Sequence, residues 1–265
     1  MTERAPLAAH RVELADGVHM PLVGLGTWML RGSQGRQAVE WALEAGYRHL
    51  DTATMYGNES EVGGALAASG VPRSEVFVTT KLPPERVGRE LATLEESLTA
   101  LGLDHVDLWL LHWPVSGDTA IETWRAFAKA REAGLATAIG VSNHSVDEID
   151  RLIEATGVQP QVNQVKWSPF LFDRPTLDAM RERGVAVEGY SPFKAGRLDH
   201  PVIAEIAERH SKTPAQVVVR WHIDHGVVVI PKSGRRERII ANADVFDFAL
   251  DPGDLTALDS LGSRA

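Results

Sequence analysis

The chain has 265 residues, 44% of them hydrophobic and 24% charged, the proportions of an ordinary folded domain rather than a disordered or membrane-embedded chain. A formal net charge of −9 gives no general attraction to nucleic acid or anionic lipid, so neither is an expected partner and any anionic ligand needs a local basic cluster. The absence of cysteine excludes a disulfide framework, a thiolate nucleophile and a thiolate metal site, and no apolar run reaches the ~18 residues of a membrane span.

In chain order, residues 11–14 and 18–20 flank Ala15-Asp16-Gly17, a turn triplet that predicts a β-hairpin ahead of everything else. Short apolar, β-branched runs then recur at 23–25, 48–50, 76–79, 106–111, 136–141, 162–165, 185–189 and 227–230, with helix-length segments between most of them. That makes about eight βα units, and the continuous apolar character of the runs fits parallel strands covered on both faces. Pro84-Glu85-Arg86 predicts one helix start, Ser145 with Glu148 three residues on a second, and Thr213 ahead of Pro214 a third. The spacing is even and no linker or low-complexity tract interrupts it. The expectation is one α/β domain over residues 1–265, a (β/α)8 TIM barrel with its base closed by the hairpin.

In such a barrel the reacting groups stand at the carboxyl ends of the strands. Asp51 follows the second run, Lys81 the third, His112 the fourth, Ser142-Asn143 the fifth, Gln164 the sixth, Tyr190-Ser191 the seventh and Lys232-Ser233 the eighth. One polar residue after a strand is common loop chemistry, whereas such a succession makes a ring around one pocket. Tyr56 lies just past Asp51. A phenol of pKa ~10 is a poor proton donor at neutral pH, and a nearby ammonium, here Lys81, lowers that value. A desolvated lysine tends to lose its own proton unless a carboxylate holds it, and Asp51 is the candidate. His112 can donate a hydrogen bond to an oxygen that gains negative charge. Together the four form a carbonyl-activating site.

These residues sit in ordered strings by which the chain resembles the aldo-keto reductases. The strings are Gly24-Leu25-Gly26-Thr27-Trp28, Asp51-Thr52-Ala53 with Tyr56 and Asn58-Glu59, Lys81, and Leu111-His112-Trp113-Pro114. Further on come Gly140-Val141-Ser142-Asn143, Asn163-Gln164-Val165, Gly189-Tyr190-Ser191-Pro192 and Ile230-Pro231-Lys232-Ser233. The resemblance covers nearly the whole chain and implies NADPH-dependent reduction of aldehydes and ketones on a (β/α)8 barrel. It implies Tyr56 as general acid, Lys81 and Asp51 as the pair that tunes it, and His112 as the group that orients the substrate carbonyl. Trp28, Met55 and Trp113 would line the substrate pocket beside His112. Gly26, Thr27 and Asp51 would touch the cofactor, whose carboxamide would meet Ser142, Asn143 and Gln164 and whose nicotinamide would stack on Tyr190. Ser191 to Phe193 would follow the pyrophosphate, Lys232, Ser233 and Arg238 would hold the 2′-phosphate, and Asn242 would meet the adenine. An Arg fork and a Lys point charge suit a phosphate, which favours NADPH over NADH.

Ala241 stands where many relatives carry Glu beside the adenine, and Lys166-Trp167 replaces the commoner Glu-Tyr or Glu-Cys, so altered adenine contacts are expected. The short stretch 193–201 and the end of the chain soon after Leu261 imply an open pocket and broad specificity, most similar to the bacterial branch that includes 2,5-diketo-gluconate reductases. His222-Ile223-Asp224-His225 has a metal-binding helical spacing, but with Gly226 behind it reads as a polar helix end, and no metal is assigned. Two rival readings are an NADPH-binding sensor of the same fold with little turnover, and a phosphate-binding barrel isomerase or aldolase using Lys81 as a Schiff base. The intact set of four argues against the first, and the pairing of Lys81 with Asp51, which keeps the amine protonated, against the second. A cytoplasmic monomer acting on a small-molecule carbonyl substrate is the expectation.

Overall fold

Two short antiparallel strands, β1 (Arg11–Glu13) and β2 (His19–Pro21), precede an eight-stranded parallel sheet in the computed structural model, which describes residues 6–193 and 198–262. The sheet strands are β3 (Leu25–Gly26), β4 (His49–Asp51), β5 (Phe77–Leu82), β6 (Val106–Leu111), β7 (Ala136–Ser142), β8 (Val162–Lys166), β9 (Ala186–Tyr190) and β10 (Val228–Val229). Each pairs with the next in chain order. The first and last meet: Val23 bridges Val229 in parallel, and the Gly24 amide donates to the Val229 carbonyl at 2.9 Å, which closes the cylinder.

Around it run α1 (Gly32–Glu44), α2 (Glu59–Ala68), α3 (Glu90–Leu101), α4 (Gly117–Glu132), α5 (Val146–Thr156) and α6 (Arg174–Glu182). They are followed by α7 (Pro201–Arg209), α8 (Pro214–Asp224), α9 (Arg236–Ala243) and α10 (Pro252–Asp259). The near-continuous apolar strands follow from this burial on both sides. Outward residues such as Leu50, Val78, Trp109, Ile139 and Val187 pack beneath the helices. Inward residues Phe77, Leu108, Leu110, Ala138, Val162 and Val228 instead form a separate cluster with Leu14 and Met20. The hairpin therefore fills the lower end of the barrel. Its turn requires left-handed backbone at Asp16 (φ 64°) and Gly17 (φ 74°), which Asp and Gly tolerate and β-branched residues do not.

Two of the expected helix starts appear as predicted. Ser145 and Glu148 form a reciprocal capping box on α5, and Thr213 does the same with Gln216 on α8 behind Pro214. The third differs. Pro84–Arg86 makes only a 3-10 turn, the chain returns to extended geometry at Val87, and Gly88 in the left-handed region (φ 87°) separates it from α3, which begins at Glu90. Of the loop expected at 193–201, residues 194–197 lie outside the described residues. Among the described residues no helix is long and apolar enough to cross a membrane.

Candidate active site

At the carboxyl ends of the strands lies a cavity of about 380 Å3. Its walls include Asp51, Tyr56 and His112, the nucleotide-facing candidates Gly26, Ser142, Asn143, Gln164, Tyr190, Ser191, Phe193 and Lys232, and the rim residues Trp28, Met55 and Trp113. Met29, Pro192 and Ile230 complete the lining.

Tyr56 is held by a 3-10 turn, Thr54–Tyr56, that leaves the end of β4 and is ended by Gly57 at φ 62°. The Thr54 hydroxyl donates to the Lys81 carbonyl at 2.9 Å, which ties this turn to β5. The phenol consequently stands over Lys81. Lys81 Nζ donates to Asp51 Oδ1 at 2.7 Å, to the Thr52 carbonyl at 2.8 Å and to Tyr56 Oη at 3.4 Å. All three ammonium hydrogens are used, and because Lys81 donates to the phenol oxygen, the Tyr56 hydroxyl hydrogen is left to donate elsewhere. Burial pulls the Lys81 amine down, but the Asp51 charge, the phenol and the hydrogen bond to Asp51 outweigh it and leave the amine above its ordinary value. Lys81 is therefore a lasting cation in a dry place.

Burial raises the Tyr56 phenol above its ordinary value, and the Lys81 charge opposes that rise without overcoming it. The sequence-based expectation of a lowered value thus has the right sign for the lysine and omits the larger effect of desolvation. Burial likewise pushes the Asp51 carboxyl up against the pull of Lys81. Both Asp51 oxygens accept hydrogen bonds, Oδ1 from Lys81 and Oδ2 from Gln164 Nε2 at 2.8 Å, which is the pattern of a carboxylate. Burial and the Lys81 charge take His112 down to about 3, so its ring is neutral at physiological pH. That ring meets Tyr56 edge-on with centroids 5.7 Å apart, and among the described residues its Nδ1 has no hydrogen-bond partner.

On the far wall the Ser142 hydroxyl donates to the Gln164 carbonyl at 2.8 Å, Asn143 Nδ2 donates to Ser142 Oγ at 3.0 Å, and Tyr190 Oη donates to Asn143 Oδ1 at 2.9 Å. The Gln164 carboxamide oxygen takes no donor from the described residues. An amide acceptor and an aromatic face on one wall suit a nicotinamide with its carboxamide. Of the five described non-glycine residues in the left-handed region, three line this cavity: Met29 (φ 62°), Asn143 (φ 61°) and Ser191 (φ 52°). Strained backbone of this kind collects where the surroundings dictate a side chain's direction.

Several expected contacts stand elsewhere. Thr27 is buried and its hydroxyl donates to the Asp51 carbonyl at 2.9 Å, so it braces β4 rather than facing the cavity. Of the phosphate group only Lys232 reaches the lining; Ser233 exchanges hydrogen bonds with Arg235, Arg238 is exposed on α9, and Asn242 is buried there. Trp167 is buried against Phe172 while Lys166 is exposed. His222 contacts the Val218 and Trp167 carbonyls and His225 contacts Asp259, so the two rings turn to different partners. Two buried groups inside the barrel, Glu188 and His49, were not singled out in sequence. Glu188 shares the inward parity of Tyr190 and pairs in register with Gln164, which is the signal that finds it.

The profile of the Aldo/keto reductase family matches residues 22–263. An aldo-keto reductase of Mycolicibacterium smegmatis is 47% identical over 255 residues, covering 95% of this chain and 93% of the relative. A glyoxal reductase of Bacillus subtilis is 43% identical over 254 residues, covering 94% and 92%. The crystal structure of a Bombyx mori aldo-keto reductase in complex with NADP superposes with a TM-score of 0.89 at 38% identity, covering 95% of this chain and 92% of that one.

Proposed function

The chain belongs to the aldo/keto reductase family and is an oxidoreductase acting on carbonyl groups, and we propose that it reduces aldehydes and ketones broadly, with NADPH as cofactor and Tyr56 as general acid. The observation that carries the reading is the placement of Lys81 Nζ, 2.7 Å from Asp51 Oδ1 and 3.4 Å from Tyr56 Oη, buried beneath a cavity that Asp51, Tyr56 and His112 line. When bound, the reduced nicotinamide supplies the hydride that converts the carbonyl carbon to an alcohol carbon.

The chain's own groups handle the oxygen. His112, being neutral, donates a hydrogen bond to the carbonyl oxygen and fixes its direction. Tyr56 gives its hydroxyl proton to that oxygen as negative charge develops there, and the phenolate left behind is stabilised by the Lys81 ammonium, which already donates to it. Asp51 keeps the ammonium charged through both states. Asn143, Gln164 and Tyr190 would hold the nicotinamide end, and Lys232 with Arg238 the 2′-phosphate. NADP in the Bombyx mori relative supports the choice of cofactor. The rim supports breadth: Trp28, Met55 and Trp113 are each about half exposed, so the pocket offers apolar contact without enclosing the substrate.

The test is a panel of small aldehydes and ketones with NADPH and with NADH, run on the wild type and on Tyr56→Phe. Turnover with NADPH that falls about a hundredfold or more in Y56F, with cofactor binding kept, is the expected outcome. An undiminished rate in Y56F overturns the role of the phenol, and equal use of NADH overturns the cofactor preference. The reading also carries residues 1–265 as one domain and the protein as a cytoplasmic monomer, for which size-exclusion chromatography and fractionation are the checks.

A further inference from the structure

Below the four groups that handle the carbonyl oxygen, the barrel interior holds two more ionisable side chains that the proposed reduction does not use, Glu188 on β9 and His49 on β4, both closed off from solvent. Glu188 Oε2 accepts from Gln164 Nε2 at 2.8 Å, and the same amide nitrogen donates to Asp51 Oδ2 at 2.8 Å. One primary amide thus spans two buried carboxyl groups and uses both of its hydrogens. The other oxygen of Glu188, Oε1, has no hydrogen-bond partner among the described residues and stands 3.6 Å from His49 Nε2. His49 Nε2 is also 3.3 Å from Thr79 Oγ1. The ring fits only because residue 24 is glycine, since a Cβ there would lie 2.5 Å from His49 Nδ1.

We propose that Glu188 is a positioning residue for carbonyl reduction: as an uncharged acid it holds Gln164 against Asp51, and its ionisation limits the reaction at alkaline pH. The inference rests on the reductase reading above.

Charge balance favours the uncharged acid at Glu188. Asp51 and His49 face Glu188 from β4, Lys81 and Thr79 lie across on β5, Gln164 flanks it on β8, and its register partner on β10 is apolar Val228. Lys81 is the only cation in this set and Asp51 already neutralises it at 2.7 Å. A second carboxylate in the same dry interior would have no counter-charge, and an isolated buried carboxylate takes up a proton rather than bear that cost. Burial, with the Asp51 charge next, accordingly pushes Glu188 up to about 8. His49 is held neutral, taken down to about 3 chiefly by burial, so it supplies no cation. While neutral, Glu188 offers a carbonyl oxygen to Gln164. Once ionised it adds a negative charge below Asp51, which raises the proton affinity of Tyr56 and makes the phenol a weaker donor.

Two measurements test this on the full chain. Infrared difference spectra of the wild type should show a buried carboxylic-acid carbonyl band that disappears with a midpoint near pH 8 and is missing from Glu188→Gln. In parallel, pH profiles of kcat with NADPH and a small aldehyde should show a wild-type decline at that midpoint. E188Q, which keeps a neutral acceptor for Gln164, should move the decline up by about one pH unit, and Glu188→Leu, which removes the acceptor, should lose about tenfold in kcat at every pH. A wild type without the band, or an E188Q profile that declines where the wild type does, overturns the proposal and leaves the reductase reading standing. If E188Q does not fold, a wild-type rate that stays level across the midpoint of the band overturns it as well. A wild type that reduces no carbonyl overturns both, while the band still reports the charge of Glu188.

Discussion

Lys81 Nζ lies 2.7 Å from Asp51 Oδ1 with neither side chain more than 3% exposed, an ion pair set into the end of the barrel's interior. Removing one partner leaves the other charged and dry. Lys81→Met should therefore cost about 3–5 kcal/mol of stability by leaving Asp51 uncompensated, and should abolish turnover as well. Urea denaturation compared with the wild type checks the first part; a matching midpoint and slope would show that the pair is not held as described.

Gly63 on α2 sits against the end of α3, where a Cβ would come 2.0 Å from the Leu101 carbonyl oxygen and 2.5 Å from its carbon. Both atoms belong to backbone, so no side chain can swing aside. Gly63→Ala should destabilise the fold by about 3 kcal/mol despite alanine's better helix propensity, with activity per folded molecule retained because Gly63 lines no part of the cavity. Thermal unfolding of the variant is the measurement, and an unchanged midpoint would contradict the packing.

Three buried histidines should make the protein sensitive to acid. Burial takes His49 and His112 down to about 3 and His222 to about 4, all below the ordinary 6.5. Between those values and 6.5 the unfolded chain binds protons that the folded chain refuses, so stability falls as pH drops through that window. At pH 5 the loss should amount to roughly 2 kcal/mol per histidine. Denaturant unfolding at pH 7 and pH 5 reads this directly, and His222→Asn, which touches no part of the cavity, should lessen the slope.

Lys232 reaches the cavity lining while Arg238 stands exposed on α9. If the two hold the 2′-phosphate, Lys232→Ala should raise KM for NADPH about tenfold and leave KM for NADH nearly unaltered, since only one cofactor carries that group. A parallel rise for both cofactors would assign Lys232 to the shared part of the molecule instead.

The ring of strand-end residues was legible because a parallel barrel converts order along the chain into neighbourhood in space. Asp51, Lys81 and His112 each follow one apolar run, Gln164 lies within another, and the closed cylinder brings all four together. What escaped is of another kind. The partner of the Thr27 hydroxyl, the Asp51 carbonyl, depends on how β3 and β4 lie side by side. Glu188 escaped because attention to strand ends overlooks inward positions one step deeper, where only the register with Gln164 reveals a partner. The direction of the Tyr56 shift depends on enclosure, and the string Thr54-Met55-Tyr56 carries no measure of that. The proline and acid at Pro84-Glu85 do begin a turn, but Gly88 stops it from growing into α3.

Leu14 and Met20, packed against Phe77, Leu108, Leu110, Ala138, Val162 and Val228, stopper the lower end of the cylinder, and the cavity lies at its other end. A molecule coming from below would have to unpack that plug to reach Tyr56, so substitutions at Leu14 or Met20 weigh on the stability of the vessel and leave the approach to its chemistry as it was.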